Sequence, residues 1–201
     1  MTDDDGTTAG AWARLARGAT TDLSAWTPSG PDQMHLRGEY LDLLDRRGAD
    51  AVRRDGGAEH LTVSGFVLSE DLTRVLLCLH RKGGFWVQTG GHLEAGDTSP
   101  AVAALREARE ESGIDDLALA VPGPVDLDRH ALGAAFGRCR AHWDVGYALL
   151  ADASAATAVS DESDDVAWFD VDALPEGAVA DLPRRLARVR AALGALPTLG
   201  R

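Results

Sequence analysis

Residues 90–114 read GGHLEAGDTSPAVAALREAREESGI, and this stretch decides the architecture. Ser99 followed by Pro100 is a helix-start signal: a capping hydroxyl, then a residue whose missing N–H costs nothing in the first turn. Gly113 closes the helix. At about 100° per residue, Glu107, Glu110 and Glu111 fall within an arc of about 100°. Ala101, Leu105 and Ala108 lie on a neighbouring face suited to packing against a sheet. One face gathers three carboxylates while another anchors the helix.

Like charges at i, i+3 and i+4 repel on a bare helix. A hard divalent cation turns that repulsion into attraction, and oxygen donors suit Mg²⁺ or Mn²⁺, with Mg²⁺ sharing its shell with substrate phosphates. Glycines in the preceding loop let a ligand approach closely, and Glu94 adds a further carboxylate there. The chemistry implied is metal-assisted attack of water on phosphorus. Alone, residues 106–111 (REAREE) would read as a solvated helix face. The glycine loop, the Gly113 stop and the flanking strands turn the reading toward a metal site.

Working outward, Leu61–Leu68 and Arg74–His80 are rich in strand formers, with a turn at 69–73, and Phe85–Gln88 is a short strand after Lys82-Gly83-Gly84. Beyond the helix, strands are expected at Leu117–Val121, Val125–Ala131, Arg140–Leu150 and Val166–Phe169, with a polar loop over 151–165. Leu182–Leu193 predicts a last helix, with Leu186, Val189 and Leu193 inward and Arg184, Arg185 and Arg188 outward. Upstream, Pro31–Arg47 predicts a helix closed by Gly48, with Met34, Tyr40, Leu41 and Leu44 at helical spacing. Residues 1–30 predict a loose lead with a short helical piece around Trp12–Arg17. Strands interleaved with helices give an α/β class, with residues 1–57 as N-terminal lead and helix and 58–201 as the main domain.

The 201 residues carry 32 acids against 20 bases, a formal charge of −12. That balance argues against a general nucleic-acid binder, whose affinity comes from phosphate neutralisation. Small anionic substrates remain open, because a bound cation reverses the local field. No apolar run approaches the roughly 20 residues of a membrane span. The acidic start MTDDDGTTAG does not read as a secretory signal. Two cysteines, Cys78 and Cys139, without metal-ligand spacing point to a reduced, cytoplasmic compartment.

The central stretch resembles the signature of the Nudix hydrolases. Gly91 matches the signature's glycine, and Arg106, Glu107, Ala108, Glu110, Glu111, Gly113 and Ile114 match its second half. Asp97 stands where the family has its first glutamate, and eight residues rather than seven separate it from Arg106. The resemblance implies an α/β/α sandwich with a mixed β-sheet, here with an N-terminal helical extension. It implies a pyrophosphohydrolase that uses Mg²⁺ or Mn²⁺ to cleave a nucleoside diphosphate linked to another moiety.

By resemblance, Glu107, Glu110, Glu111 and the Gly91 carbonyl hold the metal, and Arg106 orients a glutamate. Asp97 takes the bracing role of the first glutamate, and Glu107 is the first candidate base. A late acid among Glu162, Asp164 and Asp165 is the other candidate. Arg81 and Lys82 are phosphate-binding candidates, or a solvated edge. Trp86 reads first as sheet core and second as a stacking wall for a base. His92 and Glu94 lie in the loop, and His130, with His142, sits on a strand where packing competes with substrate contact. Subfamily markers for ADP-ribose, dinucleoside polyphosphates and NADH are missing, so nucleoside triphosphates, nucleotide sugars and related diphosphates remain. The rival reading is a non-catalytic module of the same fold that senses a nucleotide. The Pro31–Arg47 helix and the N-terminal lead are the segments that could cover a partner subunit in a homodimer.

Overall fold

The computed structural model describes residues 4–132 and 139–194, with side chains from Thr8 onward. Its elements run α1 (Asp4–Ala25), α2 (Pro31–Arg47), a 3₁₀ turn (Gly48–Ala51), β1 (Glu59–Ser69), β2 (Arg74–His80), β3 (Phe85–Val87), β4 (Thr89–His92), α3 (Pro100–Ser112), β5 (Ala118–Leu119), β6 (Asp126–Ala131), β7 (Ala141–Ala151), β8 (Ser163–Asp170) and α4 (Leu182–Gly194). The strands form one mixed 8-stranded sheet. β1 and β7 pair in parallel from Glu59↔Ala141 to Ser69↔Ala151. β1 also pairs antiparallel with β2 and β4, β7 with β5 and β6, and β2 with β3 and β8.

Both central strands are buried on both faces, as strands between two helical layers must be. Odd-numbered residues of β1 and β7 face α1, α2 and α3; even-numbered ones face α4. On the first side Leu61, Val63, Trp143, Val145 and Tyr147 pack with Leu15, Leu23, Tyr40, Leu43 and Leu44. Farther along that side Val67, Leu149 and Ala151 meet Ala108 of α3. On the other side Phe66, Leu68 and Ala148 meet Leu182, Leu186 and Val189. Each fully buried leucine contributes about 1.5–3 kcal/mol. The result is the α/β/α sandwich expected, with a mixed sheet and an N-terminal helical extension.

Three expectations need correction. The lead is not loose: α1 is a 22-residue helix. Ala11, Leu15, Ala19 and Leu23 recur every fourth position and are all buried, so a stripe half made of alanine anchors it. Residues 1–3 of that lead lie outside the described residues. Met34 does not point inward but is 58% exposed, and Gln33 takes the buried place. The Gln33 amide acts as a strand partner, donating to the Leu127 carbonyl (2.9 Å) and accepting from the Leu127 N–H (2.8 Å). Together with Tyr40, whose hydroxyl lies 2.9 Å from the Asp128 and Asp144 carbonyls, it locks α2 onto β6 and β7.

The third correction concerns α4. Arg184, Arg185 and Arg188 do not face solvent alone: Arg185 is only 2% exposed. The half of the α4-facing sheet surface beneath it is polar, so the guanidinium groups turn inward. Arg185 donates to Asp126 (2.7 Å) and Asp144 (2.6 Å), Arg188 to Asp126 (3.1 Å) and Arg184 to Asp128 (2.9 Å). No helix among the described residues is long and apolar enough to cross a membrane.

Candidate active site

Helix α3 starts and stops as its capping residues dictate. Ser99 Oγ accepts from the Val102 N–H at 3.2 Å, and Gly113 adopts a left-handed φ of 70° while its N–H bonds the Arg109 carbonyl. Ala103, Ala104 and Ala108 are fully buried, and small side chains let the helix lie close to the sheet. Gly65 of β1 makes room for it. A Cβ there would come within 2.9 Å of Leu149 and Thr89 and 3.3 Å of Ala108.

Seated this way, α3 turns its acids onto β4. The Glu107 carboxylate lies over Gly91, where an added Cβ would come within 2.5 Å of Oε1. Glu111 Oε2 accepts from the Gly90 N–H at 2.9 Å. Arg106 Nη1 donates to Glu107 Oε1 and to Glu110 Oε2, each at 3.1 Å, so one guanidinium offsets part of the repulsion among the acids. Arg106 also clasps Asp97 through Nε and Nη2 (3.1 Å each) and the His92 carbonyl (2.9 Å). Asp97 Oδ2 in turn accepts from the Glu94 N–H at 2.8 Å. These are bracing contacts: Asp97 fastens the loop to the helix across the extra residue.

Burial pushes the Glu107 carboxyl up to about 7, with Arg106 opposing and Glu110 and Glu162 adding to the rise. Burial likewise pushes Glu111 up to about 8, with the Gly90 N–H opposing and Glu107, Glu162 and Glu110 adding to the rise. Two half-neutral carboxyls against a glycine strand, with an all-oxygen donor set, are the surroundings a hard divalent cation fits. Glu110 stands apart: its side chain is 58% exposed and held toward Arg106. The three carboxylates do not already converge; among the described residues the trio of potential ligands whose donor atoms lie within 4.8 Å of one another is His60, Cys139 and His142.

Of the late acids, Glu162 is the one felt at Glu107 and Glu111. Asp164 is instead paired with Arg81 at 2.8 Å, and Asp165 accepts from the Val166 N–H. Arg81 also donates to the Asp161 and Ser163 carbonyls, which commits it to tying the end of β2 to the loop before β8. Lys82 is exposed in the adjoining turn. Trp86 packs edge-on against Phe169 in the α4-side core, with centroids 4.8 Å apart. Glu94 lies 4.0 Å from Arg106 and is largely exposed. His130 is held by Asp128 at 3.2 Å, which raises its pKa, while burial drives His92 down to about 3 and His142 to about 4.

Two features escape sequence reading. Gln88 donates to Ser64 Oγ at 3.0 Å, yet its buried Oε1 has no partner, an acceptor facing the polar half of the sheet. Cys139 has no second cysteine to signal it, but its Sγ lies 3.8 Å from His60 Nδ1. The spacing Cys139-x-x-His142 is the one local sign that this cysteine has a ligand-like neighbour.

The chain resembles an octanoyltransferase of Myxococcus xanthus, 44% identical over 103 residues, which are 49% of this chain. It spans only 27% of that protein's length. A solved NUDIX-family hydrolase from Clostridium perfringens superposes with a TM-score of 0.54 at 25% identity, covering 69% of this chain and 98% of that one. The E. coli dihydroneopterin triphosphate pyrophosphohydrolase superposes with a TM-score of 0.53 at 18% identity, covering 64% and 92%, a likeness of fold. The NUDIX domain profile matches residues 58–190, from the last turn before β1 into α4. With the glycine strand, the braced loop and the acid-bearing helix all inside that span, the chain belongs to the Nudix hydrolase family.

Proposed function

We propose that this protein is a metal-dependent pyrophosphohydrolase that cleaves the phosphoanhydride of a nucleoside diphosphate linked to another moiety. The observation that carries this reading is the pair of buried carboxyls, Glu107 and Glu111, lifted toward neutrality against Gly90 and Gly91. Glu107, Glu111 and the Gly91 carbonyl would hold Mg²⁺ or Mn²⁺, with Glu110 joining by turning away from Arg106. When bound, the cation neutralises the diphosphate and acidifies a water.

The chain's own groups do the remainder. Glu107, or Glu162 from the late loop, accepts the proton of the attacking water at a carboxylate oxygen. Arg106 keeps Glu107 oriented through its Nη1 bond, and Asp97 keeps Arg106 and the loop in register. The intact brace at Asp97 favours turnover over the sensing reading, because the longer loop is fastened rather than open.

The test is a screen of nucleoside triphosphates, nucleotide sugars and related diphosphates with Mg²⁺ and Mn²⁺, reading nucleotide or phosphate release. Turnover that stops with chelator supports the proposal. Nucleotide binding without turnover on any compound favours the sensor instead.

A further inference from the structure

The strand registers gather four histidines at one end of the sheet. β1–β7 pairing sets His60 beside His142, β6–β7 pairing sets His130 beside His142, and β1–β4 pairing sets His92 beside Thr62 on the same face. The ring centroids lie 5.1 Å apart for His60–His92, 5.1 Å for His60–His142, 5.3 Å for His92–His142 and 5.5 Å for His130–His142. Cys139, just before β7, brings its Sγ to 3.8 and 3.9 Å from the two ring nitrogens of His60. The ligand atoms of His60, Cys139 and His142 all lie within 4.8 Å of one another.

Packing alone does not account for this group. Apolar side chains fill a sheet end better than imidazoles, which bring ring nitrogens needing partners. His60 is fully buried, at 0% exposure, and among the described residues the polar side-chain atom beside its ring nitrogens is the Cys139 sulfur. Tetrahedral zinc, with bonds of about 2.0–2.1 Å to nitrogen and about 2.3 Å to sulfur, sets its ligands roughly 3.3–3.6 Å apart. The sulfur–nitrogen distance to His60 is 3.8 Å and every separation in the set is within 4.8 Å, so closing on an ion takes movements of up to roughly 1.5 Å.

We propose that His60, Cys139 and His142 form a binding site for Zn²⁺, or a borderline-soft divalent ion like it, with no ligand in common with the carboxylates of α3. The donor chemistry separates the two sites. Nitrogen and sulfur favour zinc, whereas the oxygens of Glu107, Glu110 and Glu111 favour magnesium or manganese. His92 packs against both histidine ligands while its carbonyl accepts from Arg106. The site therefore abuts the glycine loop and stiffens it from the other side.

The experiment takes the full chain stripped with chelator, then titrated with Zn²⁺ and with Co²⁺ as a spectroscopic stand-in. Bound metal is counted by elemental analysis, and thiolate ligation is read from the sulfur-to-cobalt charge-transfer band. One tightly held Zn²⁺ per chain and a charge-transfer band are expected, in the wild type and in Glu111→Gln alike. Cys139→Ser should abolish the band and weaken Zn²⁺ binding by at least about a hundredfold, since even supporting partners of a ligand are worth 10–100-fold. His142→Ala should do the same, and Cys139→Ser, a change of one atom, guards against misfolding in the larger variant. Absence of the band in the wild type overturns the proposal. So does zinc binding that survives Cys139→Ser unchanged, or that disappears in Glu111→Gln, which would place the ion among the carboxylates.

Discussion

Two clusters of arginine and carboxylate sit on this sheet, and they are built on opposite principles. Under α4, three guanidinium groups face three aspartates, and every carboxylate oxygen has a donor. Asp126 accepts from Arg185 and Arg188, Asp144 from Thr62, Ser64 and Arg185, and Asp128 from Arg184 and His130. On α3, the single guanidinium of Arg106 serves Glu94, Asp97, Glu107 and Glu110, and Glu111 has a backbone amide. Glu107, Glu110 and Glu111 each accept through one oxygen only. Burial still lifts Asp126 against the pull of its arginines, so burial alone does not distinguish the clusters. The balance of donors does: a closed network holds the fold, and an acid-rich one leaves room for the cation proposed above.

The sharpest way to break the comparison is to neutralise one acid in each setting. Glu111→Gln should lower metal-dependent turnover on the order of a thousandfold while the metal-free protein melts no lower, because a buried, underpaired carboxyl is being removed. Steady-state rates and a melting curve in chelator check both halves. Retained turnover would undo the metal assignment.

Arg185→Ala tests the other cluster. It leaves Asp126 and Asp144 buried without their main partner and should cost about 3–5 kcal/mol of stability, read by denaturant unfolding. A loss under about 1 kcal/mol, the range of exposed pairs, would mean that the network is ornamental.

These two variants also mark what the sequence reveals and what it conceals. The acids of α3 are legible because their spacing is local: Ser99, Pro100, Glu107, Glu110, Glu111 and Gly113 all speak within one helix. The α4 network is not, because Arg185 meets Asp126 and Asp144 from 59 and 41 residues away. A leucine–arginine pattern on a helix reads as amphipathic until the partner surface proves polar. The histidine cluster is hidden for the same reason, since only strand register brings His60 to His142. The length of α1 was written locally, in Ala11, Leu15, Ala19 and Leu23, but alanine gives a weak hydrophobic signal.

A smaller effect is expected at the brace. Asp97→Asn keeps the shape but weakens the clasp on Arg106, and should lower kcat about tenfold to a hundredfold by loosening the loop. Kinetics beside an unchanged circular dichroism spectrum would register this. A rate equal to wild type would show that the Glu94 amide contact alone is enough.

The mildest prediction concerns pH. Glu107 and Glu111, raised above their ordinary value of 4.5 to about 7 and about 8, hold protons in the folded state that the unfolded chain has lost. Their contribution is full below the unfolded value and disappears as pH rises through the folded ones. The metal-free protein should therefore melt progressively lower between about pH 5 and pH 8, and Mg²⁺ should offset the decline. A melting temperature in chelator that does not fall over that range would contradict the raised values.

Gly65 gives the sheet one more consequence. It is the notch beside which Ala108 sits, so the seating of the acid-bearing helix depends on a hydrogen atom on the strand paired with the glycine strand. One methyl group there would press first on Leu149 and Thr89 and then on Ala108, disturbing the seat that holds Glu107 and Glu111 against Gly90 and Gly91 with every reactive side chain still in the chain.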